Sequence, residues 1–134
     1  MSKILAFDYG TVRIGLAETD DLKMMSFGLD TVPTKEIFSY LNNYLKNNTV
    51  DEFVIGEPKQ MDGTPSESEI FILEFIKKLQ KTYHHIPIKR FDERFTSKMA
   101  FDTMIASGIG KKKRQNKGLV DKISATIILQ EYLK

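Results

Sequence analysis

The sequence predicts an α/β protein built on a mixed five-stranded sheet, a three-strand antiparallel meander followed by αβ units, with helices packed on its faces. Three observations lead there. The first 32 residues hold short apolar runs separated by tight turns. From Thr34 onward, segments with apolar residues at helical spacing alternate with short apolar runs of strand length. No stretch is long enough, or rich enough in glycine, proline or serine, to divide the chain, so residues 1–134 read as one domain. A meander followed by αβ units closes most simply into a mixed sheet covered by helices.

The elements follow in order. Ile4 to Tyr9 is apolar up to Phe7 and predicts a buried strand, with Gly10-Thr11 as a turn and Arg13 to Glu18 as its antiparallel neighbour. The stretch TDDLK supplies the next turn, and Met24 to Val32 a third strand. Pro33 ends that run, and Thr34 can cap a helix through about Lys46, with Ile37, Tyr40, Leu41, Tyr44 and Leu45 along it. Glu52 to Gly56 reads as a short buried strand. Thr64, Pro65 and Glu67 fit the cap, first position and capping-box acid of a helix running to about Tyr83, with Ile72, Phe75, Ile76 and Leu79 on one face. Pro87 to Phe91 predicts the fifth strand. Thr96 can cap a helix to Ser107, stopped by Gly108, and a last helix is expected from near Gly118 to Tyr132.

Composition excludes some functions. The chain has no cysteine, which rules out disulfides and thiolate metal sites and accords with a reducing, cytoplasmic setting. Its two histidines, His84 and His85, are too few for a histidine metal cluster. There is no long apolar run, so neither a signal peptide nor a membrane span is expected. Net charge is only +2, but Gly110 to Lys117 carries five cations (Lys111, Lys112, Lys113, Arg114 and Lys117) and no acid. Such a cluster suits a phosphate backbone, and equally a solvated loop.

The acids are the informative residues. Asp8 ends the first predicted strand, Glu57 the fourth, and Asp92 and Glu93 the fifth. In α/β sheets, sites gather at the carboxyl ends of parallel strands, so three stretches deliver carboxylates to one edge. Asp121 lies in the last helix, where it interrupts the apolar pattern of Val120, Ile123, Ile127 and Leu129. Ser124 and Ala125, one turn on, are small enough to let that helix approach the sheet and bring Asp121 towards Asp8. Taken singly, each acid has an ordinary reading: Asp8 in a turn, Asp121 in a helix's first turn, Glu57 in solvent. Taken together, three or four carboxylates without histidine or cysteine make a hard-cation site for Mg²⁺ or Mn²⁺. Two such ions about 4 Å apart can activate a water and stabilise the leaving oxygen of a phosphodiester. That is the chemistry of a metal-dependent nuclease.

The stretches FDYGTVRIGLA, VIGEPKQMDGT, FDERFTS and NKGLVDKISATIIL resemble, in order and spacing, the YqgF family, also called RuvX. The resemblance spans nearly the whole chain. It implies a ribonuclease H-like fold and a nuclease of the kind described for Holliday junctions or for the 5′ end of pre-16S rRNA, working in ribosome biogenesis. It assigns Asp8, Glu93 and Asp121 as catalytic acids, and Asp8, Asp92, Glu93 and Asp121 as metal ligands. Gly10 and Gly15 match the glycines of the family's first hairpin. Arg13 and Arg94 lie beside the acids, suited to phosphate contact or to ion pairs. Where the family has an apolar residue between the glycine and proline of the fourth-strand block, this chain has Glu57, an additional ligand or an exposed acid. The expected partner is nucleic acid, either pre-16S rRNA or branched DNA, met as a monomer or weak homodimer. Two rival readings remain at this stage: an ATPase of the sugar-kinase or actin type, whose phosphate loop also begins D-x-G-T, and an RNA-binding module that has lost cleavage.

Overall fold

The computed structural model describes residues 2–60, 62–92 and 117–134. Among them, five strands form one sheet in the order β3-β2-β1-β4-β5. The strands are β1 (Lys3–Tyr9), β2 (Arg13–Thr19), β3 (Ser26–Pro33), β4 (Val50–Glu57) and β5 (Ile88–Asp92). β1, β2 and β3 pair antiparallel. β4 runs parallel to β1, and β5 parallel to β4. The carboxyl ends of β1, β4 and β5 therefore share one edge, as the alternation of elements predicts.

Two apolar layers sandwich this sheet, and the strict alternation of strand side chains sorts residues between them. Leu5 and Phe7 of β1, Ile14 and Leu16 of β2, and Phe53 and Ile55 of β4 face α1 (Ile37–Asn47) and α2 (Glu69–Thr82). Each of these side chains is fully buried and contributes about 1.5–3 kcal/mol by leaving water. Ile4, Ala6, Ala17 and Val54 face the other way, onto α3 (Lys117–Tyr132), where they pack with Ala125, Ile128 and Leu129. Alanines on this second face bring α3 close to the sheet.

Four local expectations are corrected. Thr34 caps no helix. A 3₁₀ turn over Thr34–Glu36 leads into α1, and the Thr34 hydroxyl instead donates to the Gly10 carbonyl at 2.6 Å. α2 begins at Glu69 rather than at Pro65. Asp62 draws Thr64 into a local turn, accepting from its N–H (3.0 Å) and its hydroxyl (2.7 Å), while Pro65 bridges to Lys59. Threonine and aspartate compete with helices through such side-chain bonds. On α3 the deeply buried stripe is Ser124, Ala125, Ile128 and Leu129, whereas Val120, Ile123 and Ile127 are only half-buried. Asp121 continues that stripe by one turn, so it does not interrupt the packed face but lies on it. The helix expected from Thr96 to Ser107 lies outside the described residues.

Candidate active site

The site starts from one backbone contact. β1 and β2 pair with Asp8 opposite Gly15. On Gly15, a Cβ would sit 2.0 Å from the Asp121 carbonyl oxygen and 2.4 Å from its carbon. No real side chain tolerates that, so glycine is required if α3 is to rest its main chain on β2. Asp121 is set down beside Asp8 by this contact. Alternation along β1 gives Asp8 the face of Ile4 and Ala6, which is the α3 face. The two acids line one open cleft of about 410 Å³ with Tyr9, Gly10, Thr11, Val12 and Arg13.

The hairpin turn forms the rest of the wall and is held from outside. Thr34 ties it twice, through its hydroxyl to Gly10 and through its N–H to the Val12 carbonyl at 3.0 Å. A Cβ on Gly10 would meet the Arg13 carbonyl at 2.6 Å, so this turn too closes on a glycine. Thr34 and Tyr9 are parts of the site that residue types did not reveal; the sole hint was that Thr34 follows Pro33. Tyr9 packs against Phe75 of α2 in a tilted ring pair, centroids 5.0 Å apart, and burial, with Glu74 nearby, raises its hydroxyl pKa.

Arg13 stands on the same face of β2 as Gly15, two residues away. Its Nε donates to Asp121 Oδ2 at 2.5 Å, and both side chains keep a quarter to a third of their exposure. The ion pair foreseen as one role for Arg13 is formed, and its partner is the acid of the last helix. Because α3 begins no later than Lys117, Asp121 lies beyond the first turn, and the helix-end reading of it does not apply.

Glu57 and Asp92 share the edge but not the face. They are register partners at the ends of β4 and β5. Alternation from Phe53 and Ile55, and from Ile88, turns both towards α2. There Lys59 Nζ reaches Glu57 Oε1 at 3.4 Å and Asp92 Oδ2 at 3.8 Å. Arg90 Nη1 lies 3.9 Å from Glu57 Oε2, while its two Nη groups hold both carboxylate oxygens of Glu69 at 2.7 and 3.2 Å. Arg90 also donates to the carbonyls of Ile55 and Gly56, so it ties the start of α2 to the end of β4. Glu93, Arg94, Lys111, Lys112, Lys113 and Arg114 lie outside the described residues, and Lys117 is the first residue of α3.

The donor set fits a hard cation. Asp8 and Asp121 are carboxylates in a cleft open to water, and oxygen ligands with retained waters are what Mg²⁺ and Mn²⁺ take. Among the described residues no three acids or histidines gather closely enough to hold a metal by themselves. Asp8 and Asp121 are the two carboxylates of this cleft that could hold such an ion.

Comparison with known proteins bears on family and fold. The family model described as RuvX, Holliday junction resolvase, matches residues 2–134. A protein of Christiangramia forsetii named "Putative pre-16S rRNA nuclease" is 56% identical over 133 residues, covering 99% of this chain and 98% of its own. Its namesake in Flavobacterium johnsoniae is 50% identical, covering 99% and 96%. Among solved structures, T. thermophilus RuvC in complex with a Holliday junction substrate superposes with a TM-score of 0.55 at 14% identity, covering 99% of this chain and 94% of that one. That likeness bears on the fold, which is ribonuclease H-like. Family model, relatives and fold agree, and the chain belongs to the RuvX (YqgF) family.

Proposed function

We propose that this protein is a metal-dependent endonuclease that hydrolyses phosphodiester bonds at the 5′ end of pre-16S rRNA. The observation that carries the reading is the meeting of Asp8 and Asp121 over Gly15, in one cleft, in a chain whose relatives at 50–56% identity are named for that substrate. Asp8 and Asp121 would hold Mg²⁺ or Mn²⁺, with Glu93 as the third acid. The bound ions supply an activated water and charge stabilisation at the leaving oxygen. The protein's own part is to set the two carboxylates at fixed positions on rigid elements, β1 and α3, so that little reorganisation remains at the moment of reaction. Arg13, Arg94 and the basic run of Lys111, Lys112, Lys113, Arg114 and Lys117 are assigned to the phosphate backbone, where each neutralised phosphate releases counterions. Glu57 and Asp92, which face α2, are left out of the ligand set. The same reading implies one nuclease domain over residues 1–134, working in the cytoplasm as a monomer or weak homodimer. No described helix is long and apolar enough to cross a membrane.

Cleavage of branched DNA is the second reading, favoured by the family's description and by the RuvC-like fold. One experiment separates the two. The purified chain with Mg²⁺ or Mn²⁺ is offered a precursor rRNA 5′ fragment and a four-way DNA junction, beside the Asp8→Asn variant. The RNA is expected to be cut. Asp8→Asn is expected to lower the rate by roughly 10² or more, the loss of several kcal/mol of metal-borne stabilisation, with an unchanged circular-dichroism spectrum. Cleavage of the junction alone would favour the second reading. Full activity in Asp8→Asn would remove Asp8 from the site.

A further inference from the structure

We propose that Arg13 is a displaceable counter-cation of the site: it pairs with Asp121 Oδ2 and competes with a divalent ion for that carboxylate. The inference rests on the reading of Asp8 and Asp121 as metal ligands.

The geometry follows from the strand pattern. Arg13 and Gly15 occupy the same face of β2, and Asp8 lies across from Gly15. Because Gly15 has no side chain, the Asp121 main chain descends onto the strand. That brings its carboxylate within 2.5 Å of the Arg13 Nε. A guanidinium is thus placed at the carboxylates that a hard cation would use. Both side chains remain partly exposed, so ions and water reach the pair.

The two cations conflict. Arg13 occupies Oδ2 of Asp121, so a divalent ion that takes that same oxygen at about 2.1 Å competes with the guanidinium for it. The guanidinium cannot relieve this by losing its proton, so relief has to come from motion of its long side chain. Once released at the mouth of the cleft, Arg13 carries the planar fork that matches a phosphodiester. One residue thereby serves two states. Paired, it offsets like charge between Asp8 and Asp121, and displaced, it faces substrate. Simple orientation of Asp121 by Arg13 predicts the opposite effect of removing it, namely weaker metal binding.

Mn²⁺ binding to the full chain, followed by the spin-resonance signal of the free ion, tests this without any turnover. Arg13→Gln is expected to bind Mn²⁺ about 3- to 10-fold more tightly than the wild type, the scale of one partly exposed charge pair. It should cleave more slowly nonetheless. Affinity equal to or weaker than wild type overturns the proposal. Asp8→Asn serves as the second arm. If it weakens Mn²⁺ binding while Arg13→Gln does not strengthen it, the metal site stands and the displacement falls. If it leaves Mn²⁺ binding untouched, the metal-site reading fails and takes the displacement with it. A measurement on the wild-type chain guards against an Arg13→Gln variant that does not fold. The Arg13 Nε–H resonance, identified by its absence in Arg13→Lys, should move towards its solvent position as Mg²⁺ is added. A resonance that stays fixed through saturation overturns the proposal.

Discussion

Glu57 shows what one residue's position in a strand decides. By sequence it is an acid at the end of a parallel strand, beside the other acids. In the structure its side chain belongs to the α2 face, in long ion pairs with Lys59 and Arg90. About a third of it is exposed, so these contacts contribute roughly 0–1 kcal/mol. Glu57→Leu is therefore expected to change stability by no more than about 0.5 kcal/mol and to leave Mn²⁺ affinity as it is. Urea denaturation and calorimetric Mn²⁺ titration check the two halves, and a tenfold loss of affinity would return Glu57 to the ligand set. Asp8 and Asp121 were legible because each stands where a buried or packed position should be apolar. Arg13 was legible as a cation near the site but not as the partner of Asp121, since 108 residues separate them in sequence.

Docking of α3 onto β2 is where element geometry becomes chemistry. The helix has little amphipathic contrast, because its packed stripe begins with an aspartate and continues through a serine and an alanine. Its position depends on glycine in the strand beneath. Gly15→Ala would drive a Cβ against main chain at 2.0 Å, which no side-chain rotation can relieve. The variant is expected to lose about 3 kcal/mol of stability, the upper range for overpacking, and to lose Mn²⁺ binding as Asp121 is lifted from Asp8. Gly28→Ala is the control. There a Cβ would meet only the side chains of Lys122 and Thr126, at 3.1 Å, and flexible side chains can yield. Equal damage from the two substitutions, in urea midpoint and in Mn²⁺ affinity, would mean that Gly15 is not a special seat for the helix.

At the scale of the molecule, all five tyrosines have raised pKa values. Burial is the first cause in each. Tyr40 is pushed up to about 12 by burial and then by Asp30. Tyr132 rises to about 12 by burial and by its hydrogen bond to Glu52. Tyr44, which donates to Glu18 at 2.8 Å, is raised further still. Between about pH 10 and pH 12 the unfolded chain therefore loses phenolic protons that the folded chain keeps. The native state then binds more protons, so stability falls as pH rises through that window, and the contribution is complete below it. The urea midpoint is expected to decline across the window, with phenolate absorbance appearing at unfolding rather than before it. Tyr44→Phe should flatten the decline; an unchanged slope would show that Tyr44 does not take part.

Elements and acids could be read locally. Strand and helix identity follow from apolar period, and the candidate carboxylates from charge set against an apolar background. These depend on neighbours within a few residues, which the linear order preserves. Helix starts were less legible, because Thr34 and Thr64 bond to Gly10 and Asp62 where a capping pattern expects them to bond forward. Face and partner could not be read at all. Whether an acid at the shared edge turns towards α3 or α2 depends on strand register, and Asp121 meets Arg13 only because Gly15 lets two distant backbones touch. Those outcomes are set by contacts between residues far apart along the chain, and such contacts exist only once the sheet and α3 have packed.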